Sequence, residues 1–135
     1  MLEASGFKPD FHGRQSSWLG HTHFAHFIMN AVKPSIFVEV GTQRGHSYFS
    51  FCQIVKECEL PTKCFAIDPL KKDDEGGFCR EDFYGDAARL NEQAYSDFSE
   101  LISADNTEAH SHFSDGSIAL MHIDAEGPSA ALLLL

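Results

Sequence analysis

Residues 36–47 read Ile36-Phe37-Val38-Glu39-Val40-Gly41-Thr42-Gln43-Arg44-Gly45-His46-Ser47, and the architecture of the chain is read outward from them. Ile36 to Val40 is a short β-branched and aromatic run that stops at a glycine. That is the profile of a strand buried on both faces of a parallel sheet. The apolar spacing of Phe49, Phe51, Cys52, Ile54 and Val55 then predicts a helix over Ser47–Cys58, ended before Pro61. A strand, a glycine turn and a helix in this order place a ligand-sized gap at the strand's carboxyl end. A dinucleotide would need glycines spaced GxGxxG there, so that backbone can approach a pyrophosphate. Counted from Gly41, the second and third positions are Gln43 and His46, which argues against NAD or FAD. Glycines at 41 and 45 leave room for a ligand without a pyrophosphate.

Upstream, Trp18, Leu19, Phe24, Phe27, Ile28 and Val32 recur at helical spacing, predicting a helix from Ser16 to Val32 with Lys33-Pro34 as its stop. Residues 1–15 read as an irregular lead-in to a single domain over 16–135. Downstream, strands are predicted over Cys64–Asp68, Glu100–Ser103 and Ile118–Asp124. Residues 70–86 read as a charged loop, Ala87–Phe98 as a helix and Asn106–Phe113 as a short helix. The order α-β-α-β-α-β-α-β predicts an α/β fold, a doubly wound and mainly parallel sheet with right-handed crossovers. Ligands of such sheets sit beyond the carboxyl ends of the strands. Those ends carry Glu39 and Gly41, Asp68, Ser103 and Asp124.

The chain has 135 residues, enough for one domain with a real core, and its twelve Phe supply much of the core material. The formal net charge is -10, and it is local. Residues 1–67 hold six Lys/Arg against five Asp/Glu, and residues 68–135 hold four against fifteen. Without a basic footprint, nucleic acid and anionic membrane surfaces are poor partners. Cys52, Cys58, Cys64 and Cys79 form no CxxC or paired metal spacing, so they read as reduced thiols. The amino terminus lacks a basic stretch followed by an apolar core, and the run Ala130–Leu135 is far too short to span a bilayer. The chain therefore reads as soluble and cytoplasmic.

Three segments together resemble the class I S-adenosylmethionine-dependent methyltransferases. FVEVGTQRGHSYFSF is similar to the family's first motif, an acid before a GxGxG turn, here with Gln43 at the middle glycine. CFAIDP is similar to the second, an acid ending the second strand. SDGSIALMHIDAE resembles the strand-four motif of a subgroup acting on small molecules and sugars, of IDGxH type. The resemblance covers about residues 18–126. It implies a Rossmann-like sheet in the order 3-2-1-4 and S-adenosyl-L-methionine as cofactor. By it, Glu39 lies near the methionine amino group, Gly41, Thr42 and Gly45 form the turn beside methionine and ribose, and Asp68 takes the ribose hydroxyls. Ser103 lies by adenine. Asp124 faces the transfer site, where an acid in some members of the subgroup holds a divalent cation such as Mg2+. The family fold continues with three further strands, so residues 16–135 are expected to be a C-terminally incomplete domain. The strand Ile118–Asp124 would then be an edge through which copies could associate.

Each residue also has a plain structural reading. Glu39 inside an apolar strand needs a partner, for which Arg44 is a candidate. The plain alternative for Asp68 is a solvated strand end capping Lys71 or Lys72, and Asp73-Asp74-Glu75 reads as a solvated loop. Strand alternation puts His122 and Asp124 on one side, the arrangement of an acid–base pair. His21, His23 and His26 read as surface histidines. The expected function is methyl transfer to a hydroxyl or amine of a small molecule or sugar. The alternatives are a non-catalytic domain of the same fold that binds the cofactor weakly or self-associates, and a different nucleotide-binding α/β domain.

Overall fold

The computed structural model describes residues 20–42, 45–68, 80–104 and 108–124. Along these the elements are α1 (Thr22–Val32), β1 (Ile36–Val40), α2 (His46–Glu57), β2 (Lys63–Asp68), α3 (Arg80–Leu90), β3 (Ser99–Ser103) and β4 (Leu120–Ile123). α3 widens into a π-helical turn over Asn91–Tyr95, and a 3-10 turn over Ala109–His112 precedes β4. All strands are parallel, in the order β3-β2-β1-β4. This is the expected 3-2-1-4 sheet. The reversal of strand order between β1 and β4 creates the switch point at which open α/β sheets bind ligands.

β1 is the spine. Phe37, Val38, Glu39 and Val40 are all fully buried, as the run of β-branched and aromatic residues requires. Alternation divides them between two cores. Phe37 joins Ala25 and Met29 of α1, Tyr48, Phe49, Phe51 and Ile54 of α2, and Tyr95 on one face. Val38 and Val40 join Ile67, Ile102, Ala109, Phe65 and Phe113 on the other. Tyr48, from α2, shares a 2.6 Å hydrogen bond with Ser99 of β3, whose hydroxyl also donates to Asn91 Oδ1 at 2.5 Å. These buried polar contacts tie α2, the π turn and β3 together.

α1 ends as the sequence predicts, at Lys33 in the left-handed conformation (φ 46°), whose N–H bonds Met29 O just before Pro34. Of the apolar residues whose spacing predicts it, Ile28 packs against the core while the other described ones point outward. Thr22, Ala25 and Met29 are buried, while Phe24, Phe27 and Val32 are 60%, 45% and 43% exposed. Helical spacing identifies faces but not which of them meets the core. The predicted start of this helix at Ser16, with Trp18 and Leu19, lies outside the described residues. So do Arg44, the acidic run 73–75, Cys79 and the run 130–135. A second correction concerns α3, which begins at Arg80 within the segment expected to be loop. Its first turns, REDFYGD, are charged and contain Gly85, so no apolar period announces a helix. Among the described residues no helix is long and apolar enough to cross a membrane.

Candidate cofactor site

The carboxyl ends of the four strands finish level with one another. Gly41 N–H donates to Ile67 O at 2.9 Å and Asp124 N–H donates to Val40 O at 2.9 Å. Asp68 stands opposite Ser103 in the β2–β3 register. The sheet therefore brings Glu39, Gly41, Asp68, Ser103 and Asp124 to one edge, as their positions in the sequence predict. Thr42 and Gly45 complete the turn above β1.

The turn is built on two left-handed glycines, Gly41 (φ 81°) and Gly45 (φ 76°). Gly45 N–H closes it onto Thr42 O at 2.8 Å, and Gly45 O accepts the Phe49 N–H at 2.9 Å as α2 begins. A Cβ at position 45 would lie 2.9 Å from two ring carbons of Phe49. Glycine is thus required there both for its backbone conformation and for space.

Below the turn, Glu39 is fully buried. Its Oε1 accepts a hydrogen bond from Ser47 Oγ at 2.5 Å and lies 2.8 Å from His122 Nδ1. The register pairs Glu39 directly with His122 across β1 and β4. Thr42 Oγ1 lies close enough to favour the charged carboxylate. Yet neither Glu39 Oε2 nor Thr42 Oγ1 makes a hydrogen bond of proper geometry, although both are buried. Burial pushes the Glu39 carboxyl above its ordinary pKa, against the opposing hydrogen bonds of His122 and Ser47. The Glu39 carboxylate in turn holds His122 above its ordinary value, outweighing partial burial, and the charge of Asp124 acts in the same direction.

Asp68 is 7% exposed, so the reading of it as a solvated strand end does not hold. Lys71 and Lys72, its suggested partners, lie outside the described residues. Ser103 and Asp124 are exposed at the mouth of the site. His122 is 24% exposed, and its Nδ1 is turned to Glu39. Sequence reasoning asked for a partner to Glu39 and named Arg44; the partners that the structure supplies are His122 and Ser47. The signal for His122 was its equal distance from the end of its own strand, Asp124 following His122 as Gly41 follows Glu39. The signal for Ser47 was a hydroxyl in the first turn of the helix that follows the glycine turn. Among the described residues no group of three or more His, Cys, Asp or Glu forms a metal-binding cluster, so the cation site suggested at Asp124 gains no support. His21 and His23 are exposed, and His26 packs its Nε2 3.5 Å from Cys58 Sγ.

The parallel 3-2-1-4 sheet with this turn at its switch point is Rossmann-like and matches the fold of the class I S-adenosylmethionine-dependent methyltransferases. The profile of a family described as a methyltransferase domain matches residues 38–133, and the chain belongs to that family. It is 39% identical over 124 residues to the uncharacterized protein y4gI of Sinorhizobium fredii. That match takes in 92% of this chain but 14% of the relative, so the chain spans a small part of the relative's length. A solved structure named cmcI-N160 SAH has a similar fold, with a TM-score of 0.54 and 17% identity, over 99% of this chain and 62% of that one.

Proposed function

We propose that this domain binds S-adenosyl-L-methionine at the β1–α2 turn and transfers its methyl group to a hydroxyl or amine of a small molecule or sugar. The observation that carries the reading is the buried, unpaired Oε2 of Glu39. A buried carboxylate oxygen without a donor is costly, and an alkylammonium supplies both donor and compensating charge. The methionine portion of the cofactor carries that group. Family membership supports the same reading, and so does SAH in the name of the structure with a similar fold.

The residues at hand fit the rest of the molecule. Thr42 Oγ1 is a second buried polar atom in want of a partner beside the same turn. Gly41 and Gly45 carry no side chain at the two ends of the turn, so backbone there could lie against the methionine and ribose. Asp68, buried at the end of β2, would accept from the two ribose hydroxyls, and Ser103 lies toward adenine. The bound cofactor supplies a methyl group on a sulfonium, open to in-line displacement. The protein's part is alignment of donor and acceptor. Asp124, exposed at the end of β4 beside the site, would accept the proton that the acceptor group releases.

The reading is tested first by thermal denaturation and calorimetry with S-adenosylhomocysteine. A ligand that binds only the folded state raises the melting temperature by mass action. No shift at millimolar ligand, with a folded sample, would overturn the proposal. Transfer of labelled methyl to hydroxyl-bearing and amine-bearing acceptors then separates a catalyst from a domain that only binds.

A further inference from the structure

Glu39 is held asymmetrically. Beside the nearby Thr42 hydroxyl, its two full hydrogen bonds both fall on one oxygen: Ser47 Oγ from the first turn of α2 at 2.5 Å, and His122 Nδ1 from β4 at 2.8 Å. The other oxygen, equally buried, has none. The terminal torsion of a glutamate is soft and nearly two-fold, so a single contact to one oxygen would leave the carboxylate plane free to turn. A second donor, arriving from a different element, removes that freedom. His122 is itself held in place. Its strand is registered on β1 at this residue, and its ring lies against Phe51 with centroids 5.9 Å apart.

Resting on the cofactor reading above, we infer that His122 is a positioning residue. By engaging Oε1 from β4 it fixes the Glu39 carboxylate so that Oε2 faces the ammonium group of the bound amino-acid portion. It touches neither the methyl group nor the acceptor in this role. The role differs from that of a histidine that merely fastens β4 to β1, because it acts on one part of the ligand only.

The test uses two ligands that differ in that part. S-adenosylhomocysteine carries the ammonium, and 5′-methylthioadenosine keeps the adenosine and thioether without it. Both are titrated by calorimetry into the parent, His122→Phe and His122→Asn. His122→Phe keeps a ring on Phe51 and removes the donor, with His122→Ala in its place should the phenylalanine variant not fold. The donor-less variant is expected to lose on the order of tenfold in affinity for S-adenosylhomocysteine, the scale of one hydrogen bond to a charged group. Its affinity for 5′-methylthioadenosine should stay within about twofold of the parent. His122→Asn, which returns an N–H near the position of Nδ1, should recover most of the loss. Equal losses for both ligands, or none for either, would overturn the inference while leaving the cofactor reading intact. A folded parent that binds neither ligand would overturn both.

Discussion

An alanine at position 45 tests the turn on which the site depends. In the left-handed conformation that Gly45 adopts (φ 76°), a Cβ costs an L-residue about 1–2 kcal/mol. The same Cβ would stand 2.9 Å from Phe49 Cδ2 and Cε2. The ring cannot swing aside cheaply. Phe49 is buried, edge-on to Tyr48 at 5.4 Å and stacked on Tyr95 at 5.8 Å. Overpacking of this kind adds about 1–3 kcal/mol. Gly45→Ala should therefore destabilise the fold by about 2–5 kcal/mol, a large part of the 5–15 kcal/mol typical of a domain. In urea, with a slope of about 2 kcal/mol/M, the midpoint should fall by about 1–2.5 M. Combining it with Phe49→Leu separates the two terms. The double variant should recover part of the steric cost, giving a favourable coupling energy, and none of the backbone cost. A Gly45→Ala midpoint within 0.2 M of the parent (about 0.4 kcal/mol at that slope) would refute the reasoning, since neither the positive φ nor the contact with Phe49 would then constrain the turn.

Asp68→Ala should weaken S-adenosylhomocysteine by about 1.5–3 kcal/mol, or roughly 10–100-fold, by removing a charged acceptor; unchanged affinity by calorimetry would return Asp68 to a purely structural role. Stability should also depend on pH through His122. Its folded pKa is raised by Glu39 and Asp124, so the stabilisation is fully present below the ordinary histidine value, about 6.5, and is lost as pH rises through the raised one. Glu39, its folded pKa raised by burial, likewise loses stability as pH rises past the ordinary carboxyl value. Denaturation midpoints of the ligand-free protein should fall across the histidine range, and His122→Asn should flatten that fall; parallel profiles for the two proteins would refute the assignment.

The sequence alone determined the element order, the parallel sheet and the edge at which the site lies. These are local facts. Ile36–Val40 is apolar without alternation apart from Glu39, glycines occur where a turn needs positive φ, and each strand carries a polar residue or glycine at or beside its end, so short-range sterics and hydrophobic period suffice. It did not determine the helix over 80–86, whose charged residues and glycine carry no period and which runs on into the core-packed Ala87 and Leu90. Nor did it determine which face of α1 is covered, because a helix with apolar residues on two faces is resolved only by the shape of its neighbour. The partner of Glu39 lay furthest from view. His122 is 83 residues away, and the pair exists because strand order sets β4 beside β1 in a register that aligns them. A buried acid announces in sequence that it needs a partner. Only the assembled sheet decides which residue that is, and which of the two carboxylate oxygens is left unpaired, because both follow from contacts between strands that no local interaction specifies.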